Sequence, residues 1–156
     1  MANYMPCNAH TYTEYIIRRE IMQFTQIFDN SVSVMVYRDG SSHEFYKGEE
    51  GYAKILNGWN ELVCDAYDMP AFGVSLDKLT RQEMKSGNWV EFVYDGRCEF
   101  NEMPFEKLLV KVEEDYAGFN IIRYLSEGGY CGRCFYLQLN DKTMSQFGNM
   151  LKDMKF

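Results

Sequence analysis

The stretch Asn88-Trp89-Val90-Glu91-Phe92-Val93-Tyr94-Asp95-Gly96-Arg97-Cys98-Glu99-Phe100 decides the fold class. Val90, Phe92 and Tyr94 alternate with Trp89, Glu91 and Val93. A period of two puts the first set on one side of a pleated strand and the second set on the other. Asp95-Gly96 tolerates the positive φ angles of a tight hairpin, so the spacing predicts a turn there and a return strand over Arg97 to Phe100.

Strand patterning continues in both directions from this stretch. After Pro104, Leu108, Val110 and Val112 alternate with Lys107, Leu109, Lys111 and Glu113. Phe119 to Leu125 reads as a further strand, Gly128-Gly129 as a turn, and Phe135, Leu137 and Leu139 alternate with Tyr136 and Gln138. Upstream, Val32, Val34 and Val36 alternate with Ser33, Met35 and Tyr37; Asp39-Gly40 turns the chain and His43 to Lys47 returns it. Short connections of this kind favour antiparallel pairing over parallel β-α-β units.

Helical periodicity occupies the gaps. Thr11 to Glu14 fits a capping box, and Ile17, Ile21, Phe24 and Phe28 follow at helical spacing. A second helix is predicted from Glu49 to about Tyr67, with Tyr52, Ile55, Leu56, Trp59, Leu62, Val63 and Ala66 on one face. Gly58 weakens it by ~1 kcal/mol relative to Ala. Thr80 to Glu83 is another capping-box match, and Asn140 or Asp141 can cap a last helix whose stripe is Met144, Phe147, Leu151 and Met154. The expected fold is α+β: a curved antiparallel sheet of about five to seven strands with helices packed on one face, in one globular domain over residues 1–156.

Composition narrows the function classes. The chain has 156 residues and a net charge of −7, which disfavours general nucleic-acid binding, since that rests on Lys and Arg displacing counterions from phosphates. Apolar residues at 46% and charged ones at 25% are ordinary globular usage, so a disordered chain is excluded. No apolar run approaches the ~18 residues of a membrane span, and Met1 to His10 does not read as a secretory leader. Five cysteines without such a leader fit a reducing cytoplasm.

The sharpest chemical motif is Cys131-Gly132-Arg133-Cys134. Two thiols at this spacing suit half a zinc site, for which Cys7 and His10 could complete the four ligands, or a dithiol pair. A strand through the motif would point residues three apart to opposite faces, which favours structural cysteines. His10 and His43 are the only histidines, and Glu113-Glu114-Asp115 reads as a solvated turn. Phosphate-binding loops and a nucleophile elbow are missing. No catalytic residue and no cofactor is assigned.

What remains is a surface. If Val32, Val34 and Val36 face the helices, the other sheet face offers Met35, Tyr37, Trp89, Val93, Leu109, Lys111 and Tyr136. Exposed aromatics and Met with a few charges resemble the centre of a partner-binding patch. The expectation is a small cytoplasmic binding or regulatory module of unknown specificity, read as a binder more than as an enzyme. Its partner would be another protein or a second copy of the chain, with a small molecule as a further option and neither nucleic acid nor membrane. The alternative is a small-molecule ligand-binding protein or enzyme with a pocket between sheet and helices. A weaker one is a zinc-stabilised domain using Cys131 and Cys134.

Overall fold

The computed structural model describes residues 26–156. The helix expected from Thr11 lies outside them apart from its end, where residues 26–29 are helical. Strands β1 (Ser33–Arg38) and β2 (Ser41–Tyr46) form the first hairpin, and helix α1 (Glu50–Val63) follows. Then come β3 (Tyr67–Met69), β4 (Val74–Ser75), helix α2 (Asp77–Glu83), β5 (Asn88–Phe100), β6 (Met103–Val112) and β7 (Gly118–Leu125). The chain closes with β8 (Gly129–Tyr130), β9 (Gly132–Arg133), β10 (Phe135–Gln138) and helix α3 (Ser145–Asp153). The fold is α+β, as the alternation predicts.

One open antiparallel sheet runs in the order β2-β1-β5-β6-β7-β10-β3, with β8 added to β7, while β4 and β9 pair separately. Pairing Val34 with Phe92 and Val36 with Val90 puts these side chains on one face, and the β5–β6 register continues it through Leu108 and Val110. This face is the main core. Trp59 from α1 is wholly buried there, with its ring 5.1 Å from Phe28, 5.2 Å from Phe92, 5.7 Å from Phe119 and 5.6 Å from Phe147 of α3. Edge-to-face rings at these distances attract beyond the area they bury.

Gly58 has a packing role that helix propensity does not reveal. A Cβ there would stand 2.9 Å from the Met150 sulfur and 3.4 Å from the Phe147 ring. The glycine therefore lets α1 and α3 approach closely, which offsets its propensity cost.

Four local expectations are corrected. Helix α1 stops at Val63, not near Tyr67; Pro70 disfavours helix for the residue before it, and 67–69 instead pair with β10 as an edge strand. Asp95-Gly96 is not a hairpin turn: residues 94–97 bulge opposite Glu106 within a continuous β5. The turn falls at Asn101-Glu102, which have φ of 49° and 62° as a two-residue hairpin requires. Thr80 is no cap, because α2 starts at Asp77 and Thr80 is buried within it. Likewise α3 begins beyond Asn140 and Asp141, with Met144 at its N-cap, although Met144, Phe147, Leu151 and Met154 are all buried as the stripe predicts.

Candidate functional site on the second sheet face

Strand register carries all seven predicted surface residues to the face turned away from α1 and α3. Tyr37 pairs with Trp89, Trp89 with Lys111, Val93 with Lys107, and Met35 and Leu109 both flank Glu91. Tyr136 stands opposite Asn120 farther along the same face. Exposure, however, is not shared. Trp89 is 1% exposed and Leu109 0%, so these two are corrected from surface to interior positions. Met35, Tyr37, Val93, Lys111 and Tyr136 are half-buried.

The cover over Trp89 and Leu109 has two sources. Met84, just after α2, and Tyr130 of β8 pack with Trp89 and Leu109 into a second, smaller apolar cluster, joined by Tyr37, Ile122 and Tyr124. Asp77 holds this cover in place: its carboxylate accepts the Tyr130 backbone N–H at 2.9 Å and both oxygens accept Arg81 Nε at 3.0 Å. Those bonds hold the Asp77 carboxyl below its usual range, the Tyr130 amide contributing most. Gly129 makes the approach possible, since it has φ +73° and a Cβ would lie 2.2 Å from Asp77 Oδ1.

Beneath this cover is a fully buried carboxylate. Glu91 sits between Trp89 and Val93 on the same face and has 0% exposure. Tyr37 donates its hydroxyl to Oε1 at 3.0 Å, and Tyr130 donates to Oε2. Lys107 Nζ stands 4.0 Å from Oε1, too far for a hydrogen bond but close enough for charge pairing. Burial pushes the Glu91 carboxyl up, and the Tyr130 bond, the Lys107 charge and the Tyr37 bond oppose that rise. Burial, followed by the Glu91 charge, pushes both tyrosyl hydroxyls up, so both stay protonated donors at neutral pH.

A groove of about 340 Å³ opens directly above, lined by Tyr37, Gly40, Arg81, Met84, Lys85, Lys107, Tyr124 and Tyr130. Two of its cations lie over rings: the Arg81 guanidinium is 5.1 Å from the centre of Tyr130, and Lys107 Nζ is 4.6 Å from that of Tyr124. Such stacking keeps the charge in place while leaving donors available to a ligand. The arrangement offers three cations, ring faces and a polar floor.

The other candidates are dispersed. Cys131 Sγ lies against Gly128, whereas Cys134 is buried and burial pushes its thiol up. Among the described residues no group of three or more His, Cys, Asp or Glu side chains could hold a metal ion, and Cys7 and His10 lie outside them. His43 meets Phe45 edge-on and stacks on Phe156, away from the groove. Rings fill the space between the sheet and the long helices; a separate groove of about 660 Å³ lies along α1 and α3, with Gly58, Leu62, Phe147 and Met150 in its wall. No helix among the described residues is long and apolar enough to cross a membrane. No family model matches the chain, and neither a curated protein nor a solved structure matches it.

Glu91, Lys107, Arg81, Tyr124 and Tyr130 were not singled out from the sequence. For Glu91 the signal was present: a carboxylate between Trp89 and Val93 breaks an apolar face. Arg81 and Tyr130 carried no such signal, because only the tertiary fold brings α2 and β8 over β5.

Proposed function

We propose that the protein is a binding module whose site is the groove above Glu91, and that its ligand is a small anion or the anionic end of a larger small molecule. The observation that carries this reading is the gathering of Arg81, Lys85 and Lys107 around one ring-lined groove, on a chain whose net charge is −7. Positive charge concentrated against an acidic background focuses anions locally. Thiols at Cys98, Cys131 and Cys134 support placing this role in the cytoplasm.

The test is a sulfate titration at low ionic strength, followed by backbone amide NMR shifts. Gly129, Tyr130 and Met84 are expected to move together, with a dissociation constant on the order of 1 mM for so simple a probe. Combining Arg81→Gln with Lys107→Gln should weaken binding about tenfold or more. Shifts scattered over the surface, or none at high sulfate, would end the proposal.

A different observation favours a second reading, self-association. Tyr67, Met69, Phe72, Val74, Leu76 and Leu79 are all exposed, and β3, which carries the first two, ends the sheet among the described residues. Clustered apolar exposure of this kind is a common mark of protein contact. Sedimentation velocity over rising concentration should give a dimer that Phe72→Glu with Leu79→Glu disperses; a monomer at every concentration discards this reading.

A further inference from the structure

Lys107 belongs to two environments at once. Its Nζ is the nearest cation to Glu91 Oε1, at 4.0 Å, and it also lines the groove, 4.6 Å above the Tyr124 ring, with its side chain 35% exposed. A bound anion would compete with Glu91 for this one ammonium group. Glu91 cannot follow Lys107 outward, because its two oxygens are held by Tyr37 on β1 and Tyr130 on β8. Once the ammonium turns toward the anion, a buried carboxylate is left without its counter-ion, and a buried charge in that state is costly.

Taking up a proton removes that cost. A neutral Glu91 can donate its new O–H to one tyrosyl oxygen and still accept from the other tyrosine, so both carboxyl oxygens keep a tyrosyl partner. We infer that anion binding in the groove is coupled to proton uptake by Glu91, with Lys107 transmitting between the two. This rests on the reading of the groove as an anion site, and it adds how that site is regulated: affinity rises as pH falls.

The titratable and charged groups around Glu91 and the groove above it come from five elements and the turn beside one of them. They are Tyr37 on β1, Asp77 and Arg81 on α2, Lys107 on β6, Tyr124 on β7 and Tyr130 on β8, with Lys85 after α2. Glu44 on β2 adds its charge behind Tyr37. Arg81, Tyr37 and Tyr130 are pushed up and keep their protons near neutral pH, Asp77 is held down by the Tyr130 amide and Arg81, and among the described residues no histidine lines the groove. Glu91 is thus the group whose protonation changes under the ligand. Its carboxyl is already pushed up by burial, which brings the change toward neutral pH.

The probe is sulfate, whose own charge is constant around neutral pH. Wild-type protein should bind it about tenfold more tightly at pH 5.5 than at pH 8, which is the effect of a coupling worth about one pKa unit. Glu91→Gln should bind at both pH values about as tightly as wild type does at pH 5.5, with less than about a twofold change between them. Calorimetry of the wild type in buffers of differing ionisation enthalpy provides a readout that needs no variant: a net fraction of a proton should be taken up per sulfate bound at pH 6.5. Sulfate binding that is independent of pH, without proton uptake, overturns the coupling and leaves the anion site standing. A pH dependence that persists unchanged in Glu91→Gln also overturns it. Absence of binding at every pH overturns the site itself, and the coupling with it.

Discussion

The two faces of the sheet are stabilised in different ways. Under α1 and α3, Trp59, Phe28, Phe92, Phe119 and Phe147 interlock, and the face is closed by apolar bulk. On the other side the described residues cover only a patch, by Met84 and Tyr130, and the centre of that patch is a carboxylate bonded by two tyrosines. Replacing such a buried polar network with apolar packing is often neutral or stabilising, so its presence is poorly explained by folding alone. Both arrangements come from the same strand. The alternation that sends Val90 and Phe92 to the helices obliges Glu91 to face the other way.

Large-to-small changes should separate the faces most strongly. Trp59→Ala is expected to cost toward the upper end of roughly 3–5 kcal/mol, because four rings surround it and cannot all collapse. Trp89→Ala should cost less, because its cover is a short helix and a two-residue strand that can settle inward. Urea denaturation of both variants checks this, and an equal loss would mean the faces are equally rigid.

Removing one hydroxyl from each face should give opposite signs. Tyr130→Phe strips Glu91 of a donor and is expected to destabilise by about 1–3 kcal/mol. Tyr94 is buried on the helix side with no hydrogen-bond partner for its hydroxyl among the described residues, so Tyr94→Phe should stabilise by up to about 1 kcal/mol. Thermal unfolding of the pair measures both, and a shared sign would erase the distinction.

A pH series sharpens it further. The folded-state Glu91 carboxyl is raised, so between its ordinary value and its raised one the native chain holds more proton than the unfolded chain. Stability from this group is therefore complete at low pH and lost as pH rises through the folded value. The melting temperature of Glu91→Gln relative to wild type should climb by a few degrees from about pH 5 to pH 8. A constant difference would show that Glu91 does not titrate there. The smallest effect belongs to the exposed rim: Arg81→Gln breaks a solvent-facing pair with Asp77 and should cost under about 1 kcal/mol in chemical denaturation.

How much of this was legible in the sequence depended on distance along the chain. Period-two runs such as Val34 and Val36 against Met35 and Tyr37 identified the strands and both of their faces, because alternation is a local property of the backbone. Turn chemistry misled where two signals competed. Asp95-Gly96 fits a hairpin, yet the Val93–Lys107 and Cys98–Phe105 pairings hold β5 together through it, and the less typical Asn101-Glu102 makes the turn. Capping residues likewise failed where tertiary contact took precedence, as at Thr80, whose side chain is buried inside α2. The site was half legible. Tyr37 and Trp89 were placed on the right face, but their cover comes from residues 84 and 130, and no short-range pattern reports that juxtaposition.

The near contact of Gly58 with Met150 has a consequence for how this sequence can vary. Where the first methyl group of a larger side chain at 58 would go, the thioether of Met150 already stands. The two positions thus share one volume, and bulk gained at one must be surrendered at the other or the rods are wedged apart. Seen this way, they form a single heritable unit split between distant parts of the chain, and a change at either is best interpreted together with its counterpart.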